Sequence, residues 1–161
     1  MARGLISLAL LLVATAATPA ISLAQSSSFV SADRRIAIDV TQAEKNHILF
    51  EMREFLHGLH NINYAMAKQD MKALATTARP MGALLDRIPP SLKERLPEEF
   101  TQMAIAFNEA LQLLASKAEA RAGSGEAGLR ETHENIAEVL TYCSGCHDTY
   151  RFNVSTKKPR K

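Results

Sequence analysis

The chain has 161 residues, with 19 lysines and arginines against 17 aspartates and glutamates and a formal net charge of +2. So even a balance gives no electrostatic reason to expect nucleic acid as a partner. Once an amino-terminal signal is removed, the length suffices for one compact domain and is short for two.

Residues 1–24 read as an export signal. Arg3 supplies a basic start, Leu5 to Ala14 an apolar core, and Ser22-Leu23-Ala24 a small-residue cleavage pattern. The apolar run is interrupted by Thr15, Thr18 and Pro19 and is short for a bilayer, so a removed peptide is favoured over an anchor. No later segment reaches spanning length. The mature protein is therefore expected in the periplasm, without an integral membrane span after processing.

Residues 25–40 are expected to be a flexible lead-in and helix start, serine-rich at first and without periodicity. A helical stripe then begins: Ile48, Met52, Phe55, Leu59, Ile62 and Met66 advance by fours and threes, predicting a helix from about Thr41 to Ala67. The next stripe, Met71, Leu74, Ala78, Met81, Leu85 and Ile88, follows Asp70, a good amino-terminal cap. Pro80 should kink or interrupt it, and Pro89-Pro90 should break it. The connection runs to about Pro97. A third stripe of Phe100, Met103, Phe107, Ala110 and Leu114 has Glu98 and Glu99 near its positive helix end.

After Gly123-Ser124-Gly125, the fourth stripe comprises Leu129, His133, Ile136, Leu140, Cys143, His147 and Tyr150. Four narrow apolar stripes that need one another as cover predict an all-α fold, an antiparallel four-helix bundle over residues 41–154. No alternating strand pattern of useful length is apparent, and no internal repeat. Residues 155–161 form a basic tail, read as a solvated terminus rather than a docking patch.

The chemistry concentrates in Cys143-Ser144-Gly145-Cys146-His147, the attachment signature for c-type haem. Two thiols can form thioethers with the haem vinyl groups, and the adjacent imidazole can bind the iron. These are the only two cysteines, so one haem c per chain is expected. A disulfide oxidoreductase reading of the Cys-x-x-Cys pair lacks a βαβ context and leaves the histidine unexplained.

The motif on the last helix, extended as Cys146-His147-Asp148-Thr149-Tyr150-Arg151, resembles the cytochrome c′ family of class II c-type cytochromes. The resemblance implies a haem inside a four-helix bundle with His147 as its proximal iron ligand. Tyr150 and Arg151, three and four residues past His147, are implied to pack against and electrostatically tune the proximal face; a core aromatic and a surface arginine are the competing readings. It also implies a homodimer through the first two helices.

The family divides at the sixth iron position, which takes either an apolar residue or a methionine from the first helix. Met52 lies on the inward stripe of that helix and is the candidate distal ligand, although methionines at helical spacing also simply fill cores. Met66 lies about 21 Å further along the same helix, so both cannot face one iron. Met71, Met81 and Met103 lie on other helices. His47 and His57 project about 140° to either side of Met52, and His60 about 80° away and two turns on, which leaves bis-histidine ligation as a minor alternative. His133 precedes His147 by about 21 Å of helix and reads as a core or boundary residue.

The leading functional expectation is one-electron transfer to and from redox partner proteins by a His147/Met52-ligated haem, without enzymatic turnover. The alternative is a five-coordinate iron that binds nitric oxide or another diatomic gas. A peroxidase-like activity lacks a distal His/Arg constellation.

Overall fold

The computed structural model describes residues 33–155, so the expected signal peptide, most of the lead-in and the basic tail from residue 156 onward lie outside the described residues. Within that span the elements run β1 (Ile36–Val40), α1 (Gln42–Ala67), α2 (Met71–Met81), α3 (Leu84–Arg87), α4 (Pro90–Lys93), α5 (Glu98–Ala120), α6 (Gly125–Thr149) and β2 (Tyr150–Val154). The chain is mostly helical, as the periodicity requires. None of the described helices is long and apolar enough to cross a membrane.

Local chemistry fixes the helix ends. Thr41 and Glu44 form a capping box at the start of α1: the Glu44 amide donates to the Thr41 hydroxyl at 3.2 Å, and the Thr41 amide donates to the Glu44 carboxylate at 2.8 Å. Asp70 caps α2 by accepting from the Ala73 amide at 2.9 Å. Pro80 sits in the final turn of α2, and the helix stops one residue later rather than continuing through a kink. Leu85 therefore falls in the separate short helix α3 and Ile88 at its carboxy-terminal cap, and Leu84, Ile88 and Leu92 are buried along this connection. Between α5 and α6 the backbone turns through left-handed Gly123 (φ 81°) and Gly125 (φ 62°), a region that costs glycine nothing.

The long helices pack in sequence order, α1 on α2, α2 on α5 and α5 on α6, whereas α6 makes no comparable backbone contact with α1. The main core joins Ile62, Leu74, Leu111, Leu114 and Val139 from these four helices, and burying each such side chain contributes about 1.5–3 kcal/mol relative to exposure. A second core at one end joins Ile38, Val40, Ile48, Leu92, Phe100 and Tyr150. Phe55 packs against both.

Two sequence expectations require correction. Residues 36–40 are not a helix start but a strand that pairs in parallel with β2, Ile36 opposite Tyr150 and Val40 opposite Val154. The pairing tethers the segment before α1 to the segment after α6. The inward face of α6 is also displaced: Gly128, Thr132, Ile136 and Val139 are buried, whereas His133, Leu140 and His147 are exposed. At Gly128 the turn entering α6 comes close, since an added Cβ would stand 3.0 Å from the Arg121 carbonyl oxygen, and two of the four buried positions are thus not bulky apolar residues. The Thr132 hydroxyl is satisfied locally, donating to the Gly128 carbonyl at 2.8 Å.

Candidate cofactor site

The seam that α1 and α6 leave open holds a cavity of about 340 Å³. That volume falls within the range of small-molecule and cofactor sites. α1 contributes Ile48, Leu49, Met52 and Phe55, and α6 contributes Tyr142, Cys143, Cys146 and His147. Tyr150, Arg151 and Phe152 of β2 complete the wall, so every site residue singled out by sequence borders one space. Six of the chain's nine aromatic residues also line it: Phe55, Phe100, Phe107, Tyr142, Tyr150 and Phe152. Phe55 meets Phe107 edge-on at 5.4 Å, and Phe100 meets Tyr150 edge-on at 5.3 Å. These rigid pairs hold the cavity wall in shape.

Cys143 and Cys146 are free, half-buried and one helical turn apart. Burial pushes both thiols up from their ordinary value; a Cys143 hydrogen bond partly opposes this, and for Cys146 the neighbouring Cys143 adds to it. They are consequently held as protonated thiols at neutral pH, contrary to the depressed pKa of a redox-active Cys-x-x-Cys nucleophile. Gly145 between them leaves room, since an added Cβ would meet only the flexible Met103 Cε at 3.0 Å.

His147 is exposed at the cavity edge rather than turned into the core. α6 ends two residues later, where the Tyr150 amide donates to the Cys146 carbonyl and Arg35 donates to the His147 carbonyl at 3.3 Å. Tyr150 and Arg151 thus reach the site from β2, not from a helical face shared with the imidazole as sequence spacing implied. Tyr150 is a core aromatic, 5% exposed, and burial followed by the charge of Glu99 pushes its hydroxyl up from the ordinary value.

Met52 is half-buried and packs against the second core. The competing methionines point elsewhere: Met66, Met71 and Met81 belong to the main core, and Met103 packs beside the second. The remaining histidines do not border the cavity. His47 bonds through Nε2 to the Arg87 carbonyl at 2.8 Å, His57 lies 3.9 Å from Glu54, and His60 stacks on Tyr64. His133 borders a separate small recess with Asn63, Met66 and Leu129.

Among the described residues no three His, Cys, Asp or Glu side chains gather as a bare-metal site. A single imidazole, a thioether and two thiols on an aromatic cavity instead suit a metal that brings most of its ligands in a flat macrocycle, so the residues present fit a haem. Sequence reasoning missed Arg35 and Lys45, which also border the cavity. What places them at the cavity is contact with residues over a hundred positions away, Arg35 with the His147 carbonyl and Lys45 with the Phe152 carbonyl, a relation that no local pattern encodes. Comparison with known protein families, curated proteins and solved structures finds no match to this chain.

Proposed function

We propose that the chain is an exported, periplasmic c-type cytochrome of the cytochrome c′ kind, its four long helices forming an antiparallel bundle around one covalently bound haem. Cys143 and Cys146 are the attachment thiols, each adding its S–H across a vinyl group. His147 is the proximal iron ligand and Met52 the distal one. The haem supplies a ferric/ferrous couple, and the role of the protein is one-electron transfer between redox partners.

The observation that carries this reading is the convergence of Met52, Cys143, Cys146 and His147 on one aromatic cavity, from two helices that do not otherwise close on each other. The chain's own groups do the rest. Thiols kept protonated by burial are spared oxidation before attachment. The edge-to-face pairs of Phe55 with Phe107 and Phe100 with Tyr150 stiffen the cavity wall against reorganisation. Arg35 and Arg151 place positive charge beside the site.

One feature favours a second reading, in which Met52 is packing only and a diatomic gas takes the sixth position: Met52 already has partners in the second core. Optical spectra of the oxidised and reduced holo-protein separate the two. Electron transfer with Met52 ligation predicts a low-spin spectrum with a sulfur-to-iron charge-transfer band, lost in Met52→Ala. A high-spin spectrum that binds carbon monoxide or nitric oxide, unaltered in spin state by Met52→Ala, selects gas binding.

A further inference from the structure

Three cations edge the cavity, whose lining is otherwise mostly apolar: Arg35, Lys45 and Arg151. They come from separate segments that the β1–β2 ribbon gathers. Arg35 immediately precedes β1, Arg151 lies in β2 opposite Ala37, and Lys45 in the first turn of α1 donates to the Phe152 carbonyl at 3.4 Å. Arg35 is held on both sides, by the Asp33 carboxylate at 2.9 and 2.8 Å and by the His147 carbonyl at 3.3 Å. One guanidinium is thereby anchored to the histidine of the attachment motif.

Arg151 is not satisfied in the same way. Its Nε is buried without a hydrogen-bond partner, and the nearest carboxylate oxygen, Asp33 Oδ2, stands at 3.6 Å, close enough to attract but too far to bond. Asp33 is already engaged by Arg35, whose hydrogen bonds hold its carboxyl down to about 2. Asp148 also attracts Arg35 but does not border the cavity. Three positive charges therefore meet one engaged carboxylate, and a buried donor is left needing an acceptor. Guanidinium groups match carboxylates in shape as well as charge.

We propose that Arg35, Arg151 and Lys45 form a carboxylate-binding subsite at the cavity edge, which receives the two propionate groups of the porphyrin. The inference rests on the haem reading and assigns the orientation of the group within the cavity. Propionates clasped by cations present less negative charge to the iron, which destabilises the ferric state and raises the reduction potential. The ribbon then has a chemical purpose: it brings Arg35 to Arg151.

The test uses holo-protein matured in cells that attach c-type haem, with porphyrin mass on the chain verified first; its absence defeats the haem reading itself, and the subsite with it. Resonance Raman spectra of the folded protein should show propionate bending bands displaced from those of the same covalent holo-protein unfolded in urea. Identical bands in the two states overturn the subsite without touching the haem reading. In Arg35→Gln/Arg151→Gln and in Lys45→Gln the displacement should diminish and the midpoint potential should fall, with partial restoration in Arg35→Lys/Arg151→Lys. Variants that keep the parent's bands and potential contradict the proposal. If the double variant does not mature, the comparison of folded with unfolded parent and the Lys45→Gln measurement decide it alone.

Discussion

Glu44 should act as an acid-sensitive fastener at the end of the molecule where the cavity opens. Its carboxylate is buried yet multiply bonded, accepting from the Thr41 amide at 2.8 Å, from Arg95 Nη2 at 2.7 Å and from the Ser91 hydroxyl at 3.0 Å. Arg95 also donates to the Asp39 carbonyl, so one cluster fastens β1, α1 and α4 together. Burial alone would raise the Glu44 carboxyl, but the bonds from Thr41, Arg95 and Ser91 together outweigh it and bring the pKa down to about 2 from the ordinary 4.5. At about 1.4 kcal/mol per pH unit, full linkage gives about 3.5 kcal/mol, and solvent screening at a cluster that touches the surface reduces this to about 2 kcal/mol. Because the folded-state pKa is depressed, the contribution is complete above the unfolded value of 4.5 and is lost as pH falls toward 2. Urea unfolding of the parent and of Glu44→Gln should therefore differ by about 2 kcal/mol at neutral pH, with more than half of the gap gone by about pH 3. A gap that stays constant between these pH values would refute the reasoning.

Gly82→Ala should cost about 2–3 kcal/mol in urea unfolding, because its Cβ would stand 2.8 Å from the Asn108 backbone Cα, which cannot yield; Gly58→Ala meets only the Met81 side chain, at 2.4 Å from Sδ, and Met81→Ala should relieve most of its cost. No rescue in that double-mutant cycle contradicts the contact. Arg87→Met removes the 2.7 Å bond to Glu51, a carboxylate only 2% exposed, and leaves it with His47 at 3.8 Å; the expected loss is about 3 kcal/mol, and a change under about 0.5 kcal/mol would count against the buried pair. In haem-free protein, alkylation of Cys143 and Cys146 by iodoacetamide should be slow at neutral pH and accelerate only above the ordinary thiol range, since burial pushes both pKa values up. Rapid labelling at pH 7 contradicts that.

The helical face of α1 was legible because Ile48, Ile62 and Met66 repeat at helical spacing, and the start of α2 because Asp70 is a capping residue followed by apolar positions. The motif residues were legible as chemistry, since few arrangements need two thiols and an adjacent imidazole. What local pattern did not convey depends on long-range closure. Ile36-Ala37-Ile38-Asp39-Val40 alternates like a strand but is too short to stand out, and it pairs with residues that sequence spacing assigned to a helix. Thr41-x-x-Glu44 carries the capping-box signature, yet the burial of Glu44 depends on Ser91 and Arg95 arriving from a distant turn. The inward face of α6 eluded a search for bulky residues because two of its four buried positions are Gly128 and Thr132, one without a side chain and one polar.

The most direct test of the central claim is the intact mass of the mature protein, purified from cells equipped to attach c-type haem. The account predicts the polypeptide plus one porphyrin, retained under denaturation and absent in Cys143→Ser/Cys146→Ser. A bare polypeptide mass from the parent chain, made where a control c-type cytochrome acquires its haem, would contradict it.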